Sequence, residues 1–587
     1  MAGGFSIERL PGRPLAAALL VSARRRLGAE LAGTAPHRWW LTRGRPEGLA
    51  AMPRDPRPTD LSAGRQILAG AFVLGGETLA PGPGGDPWNR PAPSRRFAVA
   101  LHRFGWMRDL LAAGPEGAAE GLRLTLEWSR VFGRWNAFAW GPEVLERRVF
   151  NQACAVRALA ARASDAEGAR LTLDLARQAR FLLQFDRGPA SRAGRACAAA
   201  IAGAALAGRA GERLLAKGLA RLRSALPETV LADGSHASRS PQAALELLFD
   251  LTALDDVLAQ RGAAPPEEVA RALSGLAGAV RFSTLADGRL AGFQGGEELE
   301  RSYVAAARAQ EEPGAPPPPP ALGGYQKLQG RTLQVVVDGA PAAAGAWSVA
   351  ACAQPLALEV LAAGRRMIVG GGWSPDAQAP QAMRLVDAAS TASLGDAACG
   401  EPLRGFAAEV LGPQLVGAVR VVEARRHEAP GAVWLELAHD GWVERFGLRH
   451  ERRLHLAIGA DELRGEDRFT PVRPKSGPHA RRFIPFMVRF HLHPDVHAQI
   501  ARDRKSVLLR TEGDDRGWWL RNDAVEVALE PSAHFGLGQP RRAQQIVLRG
   551  QARIAEGARL RWKLSPATRP DAAPAGPARV DEEPGQA

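Results

Sequence analysis

The chain divides into an all-helical half and a strand-built half, the α+β multidomain class, and three observations predict it. From Phe97 to about Glu311 apolar residues recur three and four apart, the period of helices that pack by one face. Residues 311–320 read EEPGAPPPPP, and five consecutive prolines make a stiff extended spacer or an exposed loop. From Gly323 to about Leu564 short apolar runs alternate with turn residues and no helical period intervenes, which argues for an antiparallel β-sandwich.

At 587 residues the chain is long enough for two or three domains. Its 46% hydrophobic and 24% charged content is that of a globular protein. No apolar run is long enough for an integral membrane segment. The net charge of +14 suits a polyanionic partner. An arginine- and alanine-rich composition, as a GC-rich genome produces, explains the same charge. Nucleic acid has only this bulk charge in its favour, because no helix-turn-helix, RNP or zinc-finger pattern is present, so none is expected as a partner. Cys154, Cys197, Cys352 and Cys399 lack CxxC spacing and read as small buried hydrophobes.

In order, residues 1–94 form a leading segment. Leu15, Leu19, Ala23, Leu27 and Leu31 fall on one helical face, so this stretch reads as a retained amphipathic helix rather than a signal peptide. That favours a cytoplasmic location. Trp39 and Trp40 are expected to dock on the next domain, and 66–74 reads as a strand. Residues 95–310 are the helical domain, with helices expected over 122–131, 142–161, 167–185, 192–206, 212–226, 240–260 and 266–280. Residues 311–322 are the linker. Residues 323–566 are the sandwich, with strands over 333–337, 367–369, 433–437, 452–458, 486–492, 506–509, 525–529 and 545–548. The tail, 567–587, is rich in Pro, Ala and acidic residues and reads as disordered.

The densest polar chemistry of the first half is Asp233-Gly234-Ser235-His236-Ala237-Ser238-Arg239-Ser240-Pro241-Gln242. Asp-Gly signals a turn, and Ser240-Pro241 signals a helix start, with serine as cap and proline at the first position. His236 and Arg239 therefore belong to a loop at the mouth of a helix. This DG-x-H-x-x-R-x-P loop resembles the heparinase II/III family of polysaccharide lyases. Two further blocks carry the likeness: His439-Asp440-Gly441-Trp442 through His450 with Leu463-Arg464-Gly465-Glu466-Asp467, and Arg489-Phe490-His491-Leu492-His493-Pro494. The resemblance implies an incomplete (α/α) toroid with a cleft at one end, followed by the β-sandwich. It also implies β-elimination on an acidic, uronic-acid-containing polysaccharide such as a glycosaminoglycan. Because characterised relatives are periplasmic, it implies a periplasmic or envelope location as the alternative.

Such a lyase needs a group to neutralise the sugar carboxylate, a base for the adjacent proton and an acid for the leaving oxygen. His236 is the candidate base and Arg239, a planar fork matched to a carboxylate, the candidate clamp. Tyr325, where the linker enters the sandwich, is the candidate proton-transfer residue. Ser191, Arg192 and Gln242 are the candidate substrate-binding residues. The chain departs from the family's pattern at several places. The tyrosine expected after the loop is absent from Gln242-Ala243-Ala244. Ser191-Arg192 stands where the family carries asparagine or histidine. The family's later histidines are missing from Ala351-Cys352-Ala353-Gln354-Pro355 and from Ala389-Ser390-Thr391-Ala392-Ser393-Leu394. A second expectation therefore stands beside the lyase: a non-catalytic protein that binds a polyanionic glycan, or works at the envelope, on the same fold.

His491 and His493 alternate along a strand, but no completing ligand lies at a recognisable spacing, so no metal and no cofactor is assigned. Gly370-Gly371-Gly372 has no helix after it to cradle a phosphate and reads as a turn.

Overall fold

The computed structural model describes residues 12–184, 188–309, 311, 314, 316–375, 377, 379–472, 481–512 and 517–567. The expectation of a disordered tail falls, for 568–587, outside the described residues, as does part of the linker.

Every expected helix forms, as Pro115–Phe132, Pro142–Ala160, Asp165–Leu182, Pro189–Ala205, Gly208–Thr229, Pro241–Gln260 and Glu267–Ser283. Proline opens four of them, where its missing N–H costs no hydrogen bond. Ser164 and Glu167 form a capping box on another. Helices adjacent in sequence pack against each other, Pro142–Ala160 on Asp165–Leu182 and Pro241–Gln260 on Glu267–Ser283. Pro189–Ala205 and Gly208–Thr229 approach backbone to backbone. A Cβ on Gly203 would lie 2.3 Å from the Leu215 nitrogen, and one on Gly218 would lie 2.7 Å from that of Ala200. These stacked hairpins are the incomplete (α/α) toroid.

The leading segment joins the same core, to which Leu41, Ile67, Phe72 and Trp88 belong. Three expectations are corrected there. The strand expected over 66–74 is helix Leu61–Leu68, started by the Asp60 cap, followed by a short strand Phe72–Leu74. The leucine stripe of Gly12–Gly33 is not buried, since Leu15, Leu19, Leu27 and Leu31 stay exposed and the small Ala18 packs inward instead, beside Ala407 and Val410 of helix Gly405–Leu411. Trp39 and Trp40 are also exposed, one under the Arg43 guanidinium and one stacked on His37.

The sandwich has two large antiparallel sheets among the described residues, beside the small pair Glu401–Pro402 and Leu415–Val416. One runs, in spatial order, Val422–Ala429, Ala432–His439, Leu448–Ala457, Glu462–Pro471, Ala558–Pro566, Trp518–Asn522, Ser506–Thr511 and Val496–Ile500. The other runs Glu526–Gly536, Gln539–Arg553, Phe483–Leu492, Arg365–Val369, Leu358–Ala362, Leu333–Asp338, Tyr325–Gln329 and Ala321–Leu322, with Ala392–Leu394 also paired to Phe483–Leu492. Their facing side chains form one core. Leu333–Asp338 is buried along its whole length. Leu333, Val335 and Val337 face the other sheet, while Val336 meets Phe282, Leu285 and Phe293 from the helical half. The second sheet is therefore covered on both faces, which is why its central strands read as continuous apolar runs rather than alternating ones.

The histidine-rich block of the sequence lies inside this core. Asp467 Oδ1 accepts from Arg452 Nε at 2.8 Å and His450 Nε2 at 2.8 Å, and Oδ2 accepts from the Trp562 indole at 3.0 Å. His450 Nδ1 then accepts from His439 Nε2 at 3.1 Å, and His439 Nδ1 accepts from the Gly441 amide. Each ring N–H meets an acceptor, so both rings are neutral and fixed in tautomer. The block that resembled a lyase's C-terminal domain is here a structural polar knot.

Candidate functional site

The 233–242 loop closes the toroid against the sandwich. Asp233 accepts from the Ser235 amide and hydroxyl with one oxygen and from the Gly323 amide, across the joint, with the other. Gly234 takes φ +85°, and a Cβ there would sit 2.6 Å from the Gly275 carbonyl, so only glycine fits. Ser240 caps the following helix through the Ala243 amide, and Pro241 opens it, as the sequence predicts.

Arg239 stands in the left-handed region at φ +61°. Its guanidinium makes four hydrogen bonds, to the carbonyls of Gly323, Ala340 and Pro341 and to Asp338 Oδ1 at 2.6 Å. Asp338 Oδ2 accepts from Gln294, which in turn accepts from the Cys352 amide. The Tyr325 hydroxyl donates to the Arg239 carbonyl at 2.7 Å, and its ring lies 4.8 Å under the guanidinium. Burial pushes the Tyr325 phenol well above its ordinary value. The expected carboxylate clamp and proton donor thus meet each other, and both are occupied by the protein itself.

His236 is half-buried, with its ring 5.6 Å from that of Trp347 in the sandwich half. Burial pushes its pKa down to about 4, so the imidazole is neutral near pH 7. The Ser238 amide donates to Nδ1 at 3.2 Å, which makes Nδ1 the acceptor and leaves the proton on Nε2. The lone pair a general base needs is turned inward. As it stands, the ring offers a hydrogen-bond donor at Nε2.

The substrate-binding candidates each have partners of their own. Gln242 accepts from the Glu297 amide at 3.1 Å. Ser191 donates to the Gly188 carbonyl inside its own helix start, and Arg192 pairs with Glu228 at 3.1 Å on an exposed face. The positions where the family carries histidines are filled by buried structural bonds. Gln354 donates to the carbonyls of Met383 and Leu385, and the Ser390 and Thr391 hydroxyls donate to those of Val369 and Pro355.

One cluster was missed in the sequence. His493 Nε2 and His534 Nε2 lie 3.0 Å and 3.3 Å from Glu298 Oε2, and all three residues are buried. The His-x-His pair is split, and His493 alone of the two joins this cluster. Its partners come from 195 residues upstream and from strand Glu526–Gly536, two places along the same sheet, a spacing no local pattern encodes. His491 goes elsewhere, to Ser532 and the Asp387 carbonyl. A separate open groove of about 490 Å³ lies on the outer face of the first sheet, where half-exposed Trp434 tilts against His455 among Arg453, Arg464, Arg561 and Lys563.

Comparison with known proteins fits this architecture. The heparinase II/III-like C-terminal family model matches residues 312–563. FtsZ-localized protein C of Caulobacter vibrioides is 51% identical over 562 residues, 95% of this chain and 97% of that one. Among solved structures, heparinase III superimposes with a TM-score of 0.63 at 15% identity, covering 82% of this chain and 80% of that one. A mutant of the heparan sulfate lyase HepC from Pedobacter heparinus gives 0.58 at 15% identity, over 88% of this chain and 86% of that one. No helix among the described residues is long and apolar enough to cross a membrane. Matched over nearly its whole length, this chain belongs to one family with FtsZ-localized protein C, and its residues 312–563 belong to the heparinase II/III-like C-terminal family.

Proposed function

We propose that this chain is a non-catalytic member of the family that uses the toroid and sandwich as a scaffold and associates with FtsZ. One observation carries the non-catalytic part: the guanidinium of Arg239 and the hydroxyl of Tyr325 are bonded within the joint, and Gln242-Ala243-Ala244, directly after the loop, holds no tyrosine. The FtsZ part rests on the relative named FtsZ-localized, identical at about half of all positions along the chain. This reading agrees with the cytoplasmic location expected from the sequence.

Two assays on the full chain test it. Incubation with heparan sulfate and other uronate polymers gives no rise in ultraviolet absorbance, because no unsaturated sugar forms. Immobilised chain retains purified FtsZ. Steady turnover overturns the first part, and a failure to retain FtsZ overturns the second.

β-Elimination on an acidic polysaccharide is the second reading, with His236, Arg239 and Tyr325 catalytic and Ser191, Arg192 and Gln242 binding the sugar. It is favoured by the neutral His236 beside Trp347 where the two halves meet. Under it, His236→Ala abolishes turnover of a polymer that the unaltered chain cleaves.

A further inference from the structure

We infer that Glu298, His493 and His534 bind a divalent transition-metal ion, of which zinc suits the donors best, and that the ion clamps the toroid to the sandwich. The three ligands come from distant parts of the fold. Glu298 precedes the last toroid helix, Arg301–Arg308. His493 follows strand Phe483–Leu492, and His534 lies in Glu526–Gly536. Two imidazole nitrogens and one carboxylate oxygen form a common zinc donor set. Bonds of about 2.0–2.2 Å in tetrahedral geometry set ligand atoms roughly 3.3 Å apart. The two nitrogens here lie 3.0 Å and 3.3 Å from the carboxylate oxygen.

The hydrogen-bond geometry around His534 gives a further argument. His534 Nδ1 lies 2.9 Å from the Gly370 carbonyl, which only accepts, so the proton is on Nδ1. A neutral ring then points the Nε2 lone pair at a carboxylate oxygen, two electron-rich atoms in contact in a buried place. That contact calls for a positive charge between the two atoms. A cation bound at Nε2 relieves it without a proton. The surroundings have the form of an outer shell around a metal. Gly370 holds the His534 ring. The Asp495 amide donates to His493 Nδ1 at 3.3 Å, so without an ion that ring's proton sits on Nε2 towards Glu298, and an ion at Nε2 moves it to Nδ1, 3.4 Å from Asp495 Oδ2. Arg289 pairs with the other oxygen of Glu298. Gly536 leaves the space, since a Cβ there would be 3.0 Å from His534 Nε2. The Gly370-Gly371-Gly372 turn thus acquires a purpose the sequence did not suggest.

The test uses the full chain, stripped with chelator and titrated with Zn²⁺ and with Co²⁺. About one ion per chain binds, and Co²⁺ gives the visible bands of a site with nitrogen and oxygen ligands. Zn²⁺ raises the melting temperature of the stripped chain. Glu298→Gln, close in shape, and His534→Ala weaken binding at least about 100-fold and remove the Co²⁺ bands. Circular dichroism checks that each variant folds, and Glu298→Gln stands alone where His534→Ala does not. If the stripped wild-type chain binds neither ion, or Glu298→Gln binds both as well as wild type, the assignment is overturned.

Discussion

Arg239 holds a left-handed backbone and joins three carbonyls and a carboxylate from the opposite half of the molecule. Its partner Asp338 is 1% exposed, so removing the guanidinium strands a buried charge. Arg239→Ala is expected to cost about 3–5 kcal/mol, the range for breaking one side of a buried pair. Urea unfolding measures it, and a loss under about 1 kcal/mol would mean that solvent already reaches Asp338. Arg239→Lys restores little of the loss, because one ammonium cannot span the four acceptors. The sequence placed His236 and Arg239 correctly in one loop at a helix start, from the turn and cap residues alone. It gave no sign of what their side chains touch, because Gly323, Asp338 and Ala340 lie about a hundred residues away in the chain.

At the scale of elements, periodicity located the helices to within a few residues, since a helix that packs by one face must repeat every three to four positions. It could not tell whether a face is covered. The leucines of Gly12–Gly33 have the right spacing and remain in solvent. In the sandwich, register does what spacing cannot. Gly465 pairs with Trp562 across the strands, and a Cβ on Gly465 would fall 2.1 Å from that indole. The indole N–H holds Asp467 in the buried knot. Gly465→Ala is therefore expected to cost about 1–3 kcal/mol by overpacking. Thermal melts check it, with loss of the near-ultraviolet tryptophan signal as the local readout; an unchanged melting point would mean that the ring has room to slide.

For the whole molecule, buried histidines set the response to acid. Burial holds His102 at about 3 and His491 at about 4, so both are neutral in the folded chain. The unfolded values lie near about 6.5. Between these limits the unfolded state binds protons that the folded state refuses, and stability falls with falling pH. Above about pH 6.5 their contribution is complete; below it, each buried ring adds a slope of up to about 1.4 kcal/mol per pH unit. The melting temperature is expected to drop from about pH 6.5 towards 4, and less steeply in His491→Gln. A melting temperature flat over that interval would show these rings already charged in the fold. Asp467 acts only at lower pH, because Arg452 and His450 outweigh its burial and hold it below the usual carboxylate range. By itself the sequence determined the two halves, their element types and the helix caps, because propensity, capping and apolar period are local properties of a few adjacent residues. Only the tertiary structure decided that the lyase-like loop is an interdomain clasp and that Glu298, His493 and His534 share one buried point. Those outcomes depend on register, sheet order and the docking of two halves, which bring together residues that no local pattern relates.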